Sequence, residues 1–274
     1  MVNRLPLAFL LASSMLFFGA SGMYVAALRS RRPGLPFWAH AVALSGWLTL
    51  TAGGLVRLGL WRSLPFGAFS DGALLLLWAV AGGFLWLERR YLIRVGGALV
   101  LPLLALGSAY IFWRPAGGGE LLPALASPWV TVHAASVFAA YSAFALAAVA
   151  GALYLILERE LKRKQLTGLR FSLPDLDTLE RLVRALVVLG FPFLTLGLLS
   201  GAFWSRRVWG AYLLADPKVI FAWITWLIYG LQLLYWRAAG GRGRRTAIAS
   251  LIGLLAVAVN YLALGALVDT VHRF

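Results

Sequence analysis

The sequence predicts an all-α protein, a polytopic membrane helical bundle of about eight transmembrane helices. Hydrophobic residues make up 61% of the 274 residues and charged residues only 13%, about half of the charged share of a water-soluble domain. The charges form short clusters, and the apolar stretches between them are about 18 residues or longer, enough to cross a bilayer core. The whole chain, 1–274, is therefore predicted to be a single integral membrane domain surrounded by lipid.

Each apolar stretch accounts for one helix. The first is longer than the apolar part of a cleavable signal peptide, so we expect it to be retained. The third and fourth contain glycine pairs, which are common where membrane helices pack closely. The predicted spans are 6–28, 37–58, 66–87, 95–113, 129–157, 185–204, 219–236 and 247–268.

Basic residues set the orientation. Of the 25 lysines and arginines, 17 follow the first, third, fifth and seventh spans, which places these loops in the cytoplasm by the positive-inside rule and both termini outside. This asymmetry and contact with anionic lipid explain the net charge of +15, so we expect no nucleic-acid partner. The remaining eight are Arg4, Arg57, Arg62, Arg114, Arg206, Arg207, Lys218 and Arg273.

The absence of cysteine limits the chemistry of the chain. With no cysteine there is no disulfide, thiolate metal site or thiol nucleophile. Any reduction of a partner's thiols must therefore be carried out by another protein.

The longest predicted cytoplasmic loop, 158–184, ends in a helix-start pattern. Ser172 or Asp175 is a possible N-cap, and leucines recur at helical spacing from Leu176 onward. We interpret this segment as an amphipathic helix lying at the membrane surface. A docking site for a soluble partner is the alternative.

Two of the three histidines are predicted to lie on the outer face, at the ends of different helices. His133 begins the fifth span and His272 follows the eighth. Two imidazoles are too few for zinc but are the right number for a six-coordinate haem iron. The alternative is that both are hydrogen-bonding groups at the membrane interface. His40 lies near the cytoplasmic end of the second span, where solvation is a sufficient explanation.

The outer loop 205–218 mixes aromatic and charged side chains. Such a loop indicates either a surface for an amphipathic, anionic ligand or an aromatic belt at the membrane interface. The stretch WGAYLLADPKVIFAWITWLIYGLQLLYWR, which begins in this loop, resembles the tryptophan-rich signature of the cytochrome c assembly membrane proteins, the CcsA, ResC and HemX-like group with CcmC and CcmF as relatives. The helix beginning SPWVTVHAASVFAAY and the last helix, VAVNYLALGALVDTVHRF, are also similar to that family, as is LPFGAFSDGALLLLWAVAGGFLWLERRY.

The resemblance implies a haem site at the outer face. His133 and His272 would be the axial ligands of the iron, and Trp209 and Tyr212 would pack on the porphyrin. The propionates would meet Arg206, Arg207 and Lys218, with Arg57, Arg62 or Arg114, because guanidinium pairs with carboxylate in a bidentate manner. The positions that match the loop motif are Trp209, Gly210, Asp216, Pro217 and Lys218.

The sequence departs from the family pattern in the same loop. Leu213 and Ala215 stand where the family has tryptophan, Val219 replaces a glutamate and Phe221 another tryptophan. The family's further intramembrane histidine has no counterpart. These departures favour the HemX-like branch and predict weak, substoichiometric or absent haem.

We therefore expect a haem-handling membrane protein of cytochrome c biogenesis, at most the haem-binding part of a haem-attachment system. The alternative is a HemX-like regulator or scaffold of haem biosynthesis that does not bind haem stably. Expected partners are another biogenesis membrane subunit, apocytochrome c or a haem-biosynthesis enzyme, at a cell membrane, the inner membrane of a prokaryote. A secondary transporter is disfavoured because the spans lack a path of charged residues.

Overall fold

Eight α-helices make up the structure, a computed structural model that describes residues 5–30, 32, 34–61, 69–113, 127–164, 173–212, 216–240 and 243–263. These ranges contain no β-strand, which confirms the all-α membrane bundle. The helices are α1 (Leu5–Ser30), α2 (Leu35–Trp61), α3 (Phe69–Tyr91), α4 (Arg94–Trp113), α5 (Pro128–Lys162), α6 (Leu176–Trp209), α7 (Pro217–Ala239) and α8 (Arg244–Ala258), the last continued by a π-helical turn, Val259–Ala263.

The first seven helices are long and apolar enough to cross a membrane. α8 is shorter, and the end of its predicted span, after residue 263, lies outside the described residues. Most described helix ends agree with the predicted spans to within about four residues. α5 continues five residues beyond its predicted end, and α6 begins nine residues before its predicted span and ends five residues after it.

The structure differs from the expected surface helix at residues 176–184. This segment is the first part of α6 rather than a separate element. Its apolar side chains Leu179, Leu182 and Val183 are buried within the protein. An apolar face that is already covered is available neither to lipid headgroups nor to a soluble partner.

The chain divides into two compact units, and the first contains α1 to α4 with the end of α5 from Leu155. α1 packs along both α2 and α4. Glycines permit these approaches: a Cβ on Gly53 would lie 2.7 Å from Cβ of Phe9, and one on Gly97 would lie 2.6 Å from the Tyr24 ring. Close packing through small residues is the usual way in which membrane helices associate.

The second unit contains α5 up to Tyr154, α6 from Asp177, α7 and α8. Phe144 of α5 stacks on Tyr229 of α7 with the ring centroids 3.6 Å apart. At the start of α8, Glu180 of α6 accepts a hydrogen bond from the Gly243 backbone N–H at 2.8 Å. The Arg184 guanidinium lies 5.2 Å from the ring centroid of Trp236. The organisation of residues 1–274 as a single domain remains a prediction.

Candidate functional site

His133 lies in the second turn of α5, against α6. Its Nδ1 is 2.7 Å from the carbonyl oxygen of Gly197. A carbonyl only accepts, so Nδ1 carries the proton and donates it. In the neutral imidazole the other nitrogen, Nε2, is then the unprotonated one, and it makes no hydrogen bond to the residues that the structure describes. A histidine that ligates a metal usually has this arrangement, with one nitrogen tied to a carbonyl or carboxylate and the other available.

An aromatic cluster surrounds the facing ends of α5 and α6. Trp204 is buried with Val130, and Trp129 and Trp209 pack against them. Trp204 and Trp209 meet edge to face at 4.8 Å between centroids, and Trp129 lies 5.5 Å from Phe203. We use the name aromatic cluster for the five residues Trp129, Phe203, Trp204, Trp209 and Tyr212.

Two arginines in the last turns of α6 lie over rings of this cluster. The Arg206 guanidinium is 4.6 Å from the centroid of Tyr212, and that of Arg207 is 5.8 Å from the centroid of Trp129. Both arginines are exposed. Stacking on a ring orients a guanidinium while leaving its N–H groups free to meet an anion.

A tight turn brings Tyr212 back to the cluster. α6 ends at Trp209, and Gly210 takes the left-handed conformation, with φ +78°, which glycine adopts without strain. The Gly210 N–H donates to the Arg206 carbonyl at 3.0 Å, and the Ser205 hydroxyl donates to the Ala211 carbonyl at 2.7 Å. The predicted site residue Gly210 thus ends α6.

The Asp-Pro-Lys part of the motif begins α7. Asp216 is buried, and its Oδ1 accepts from the backbone N–H groups of Lys218 at 2.9 Å and Val219 at 3.4 Å. Pro217 occupies the first helical position, where its missing N–H costs nothing. These residues therefore have a structural role as a helix start. A role for Asp216, Pro217 and Lys218 toward a cofactor remains a prediction.

Several predicted site residues lie outside the described residues: His272, Arg62, Arg114 and the departures Leu213 and Ala215. The expected approach of His133 and His272 across an iron therefore remains a prediction. Arg57 is described; it is a buried residue of α2, in the first unit.

Comparison with protein families identifies the chain. The model of the cytochrome C assembly protein family matches residues 35–272. The chain belongs to the cytochrome c assembly protein family. This match confirms the family that the motifs predicted.

Named relatives of this assembly protein agree. It is 33% identical over 224 residues to the cytochrome c biogenesis protein CcsA of Heterosigma akashiwo, an alignment that covers 69% of this chain and 70% of the relative. With the CcsA protein of Prochlorococcus marinus the identity is 30% over 250 residues, covering 83% and 81%. These relatives are CcsA proteins, and they do not support the HemX-like branch.

A solved structure shares the fold of this assembly protein. The chain named cytochrome c heme lyase CcmF matches 98% of it with a TM-score of 0.62 at 18% identity. This chain spans about half, 51%, of the length of that CcmF chain. At this identity the match shows the fold alone.

The first unit of this assembly protein holds a polar cluster that the sequence interpretation missed. His40 of α2 places Nδ1 2.7 Å from Oε2 of Glu88 on α3, and the hydroxyl of Tyr24 on α1 donates to the other carboxylate oxygen. Glu88 and Tyr24 are buried. His40 is therefore not merely solvated, as the sequence suggested, but joins a network of three helices.

Proposed function

We propose that this chain holds haem at the outer face of the membrane during cytochrome c biogenesis. His133 and His272 are the axial ligands of the iron in this proposal. The aromatic cluster contacts the porphyrin, and Arg206, Arg207 and Lys218 meet the propionates. The membrane is the plasma membrane of a prokaryote.

The observation that carries the proposal is the hydrogen bond from His133 to Gly197. In the neutral imidazole it fixes the tautomer in which Nε2 bears the lone pair, and this is the nitrogen that would bind iron.

The surroundings of His133 fit an amphipathic, anionic ligand. Toward the end of α6, beyond the histidine contact, aromatic rings offer apolar area, and two exposed arginines offer positive charge. A porphyrin has an apolar ring and two carboxylates, which these groups complement. Bound haem supplies the iron and the vinyl groups to be joined to a cytochrome. The residues of this chain orient it and hold its propionates.

The partners follow from the chemistry. Since the chain contains no cysteine, the thiols that receive haem belong to apocytochrome c, and the reductant that keeps them reduced acts through another biogenesis subunit of the membrane. The chain is thus a haem-presenting component rather than a complete attachment system.

Haem titration of the purified protein tests this function. We expect added haem to give the absorption spectrum of a low-spin, bis-imidazole complex. His133→Ala should abolish that spectrum, whereas His40→Ala, a matched control in the other unit, should leave it unchanged.

Two outcomes contradict the proposal. A low-spin spectrum that persists in His133→Ala would remove this residue from the site. The complete absence of haem binding at micromolar concentrations would favour the alternative, a regulator that does not bind haem.

A further inference from the structure

We propose that Gly197 and Gly201 of α6 are positioning residues for His133, because the lack of a side chain at each lets the imidazole lie directly on the helix backbone. Only the haem-binding experiment described below rests on the proposed function; the positioning of His133 itself does not. The first observation is the contact at Gly201. A Cβ added there would lie 2.6 Å from Nδ1 of His133 and 2.9 Å from its Cε1. Any larger residue must displace the ring.

Gly197 supplies the second contact. Its carbonyl is the acceptor for Nδ1 at 2.7 Å, and a Cβ on this residue would lie 2.6 Å from Cγ2 of Val137 and 3.4 Å from its backbone nitrogen. The glycine therefore lets the α5 backbone approach α6 closely enough for the carbonyl to reach the imidazole. The Ser200 hydroxyl also donates to this carbonyl, at 3.0 Å.

The two glycines are spaced so that both can contact His133. Residues four apart lie on one face of a helix, one turn above the other. The carbonyl of Gly197 thus accepts the hydrogen bond from Nδ1, and one turn further along α6 the backbone of Gly201 lies against the imidazole ring. The imidazole is confined both by a hydrogen bond and by a surface, and the plane of its ring is set by the backbone of α6.

Ring orientation matters for a haem ligand. The direction of the Nε2 lone pair fixes where the iron lies, and the ring plane sets the electronic splitting of a low-spin iron. A ligand held by backbone atoms keeps the same direction whether haem is present or not. Binding then costs little ordering of the side chain.

Histidine NMR of the haem-free protein tests the positioning directly. With only three histidines in the chain, the His133→Ala variant identifies the signal of residue 133. We expect nitrogen shifts of the Nδ1–H tautomer, and we expect Gly201→Ala to move this signal. Gly230→Ala is the matched control, because a Cβ there meets only ordinary contacts at 3.5 Å from Phe191; it should leave the signal in place.

Haem affinity gives the second readout. A ring pushed off its preferred rotamer should weaken binding about fivefold in Gly201→Ala and change the g-values of the low-spin iron in electron paramagnetic resonance. His133→Ala removes the low-spin spectrum but leaves the aromatic cluster and the arginines, and on that background the same substitution should not lower the residual haem affinity. An equal loss on both backgrounds would show a general packing effect and overturn the inference.

The two proposals fail separately. If Gly201→Ala leaves the His133 signal unchanged, the positioning role is wrong even when haem binds through His133. If that signal moves as expected but His133→Ala has no effect on haem, the positioning stands and the haem function is wrong.

Discussion

Glu88 is the residue on which the polar cluster of the first unit depends. One carboxylate accepts from Tyr24 and lies 2.7 Å from His40, so it joins α1, α2 and α3. Only 5% of Glu88 is exposed, against 17% of the His40 side chain. A buried carboxylate is costly unless each oxygen has a partner, and here each has one.

We expect Glu88→Ala to lower the thermal stability of the first unit strongly. Removing one member of a buried pair leaves the others without a partner and costs on the order of 3 kcal/mol. Asp177→Asn is the control, because it breaks an exposed pair with Arg181 that is worth about 0.3–0.5 kcal/mol. Thermal unfolding in detergent measures both; similar midpoints for the two variants would contradict the prediction.

At the scale of an element, the loop between α6 and α7 is the part of the proposed haem site that departs from the family pattern. Its two ends are fixed: Gly210 ends α6 in the left-handed conformation and Asp216 caps α7. Between them stand Leu213 and Ala215 in place of two tryptophans of the family pattern. Loss of one aromatic anchor typically costs about 2 kcal/mol, and about 1.4 kcal/mol is a factor of ten.

Protein purified without added haem should therefore carry substoichiometric haem or none. Restoring the aromatic residues with Leu213→Trp and Ala215→Trp should raise the occupancy, and His133→Ala should abolish the gain. Ile220→Trp, an added tryptophan at an exposed position of α7, should change nothing. The haem-to-protein ratio from absorption spectra measures this, and full occupancy of the unmodified protein would refute it.

Sequence patterns predict the helices far better than their polar contacts. The lengths of the apolar stretches predict all eight helices, because a segment that crosses the bilayer core must be both long enough and apolar along its whole length. The early start of α6 escapes this rule, since protein rather than lipid covers Leu179 and Val183. His133 is found from the motif, but its partner Gly197 acts through a carbonyl, which every residue has. No side-chain signal marks it.

The contact of His40 is also missed by sequence patterns, because its partner looks solvent-exposed in the sequence. Its partner, Glu88, stands 48 residues later, next to Arg89 and Arg90. In the sequence that carboxylate belongs to a charged cluster at the end of a span and is expected to be solvated. Only the packing of α2 beside α3 brings it to His40.

At the scale of the whole molecule, the orientation remains a prediction that reporter fusions can test. Fusions after residues 165 and 212 should report opposite sides of the membrane, the first cytoplasmic. The reason is the excess of lysine and arginine after the first, third, fifth and seventh helices. Because the site of His133 and the start of α7 are predicted to lie outside, a cytoplasmic signal after residue 212 would also remove the proposed haem face.

The hydrogen bond between Glu180 and Gly243 has a consequence for how the protein is made. α8 begins with two arginines, Arg244 and Arg245. Its first turn is tied to α6 by this bond, 63 residues earlier in the chain, and Gly151 of α5 lies against Ala247 and Ser250. Both earlier helices leave the ribosome first. During synthesis, α8 therefore meets a packing surface on α5 and α6 that has been made before it.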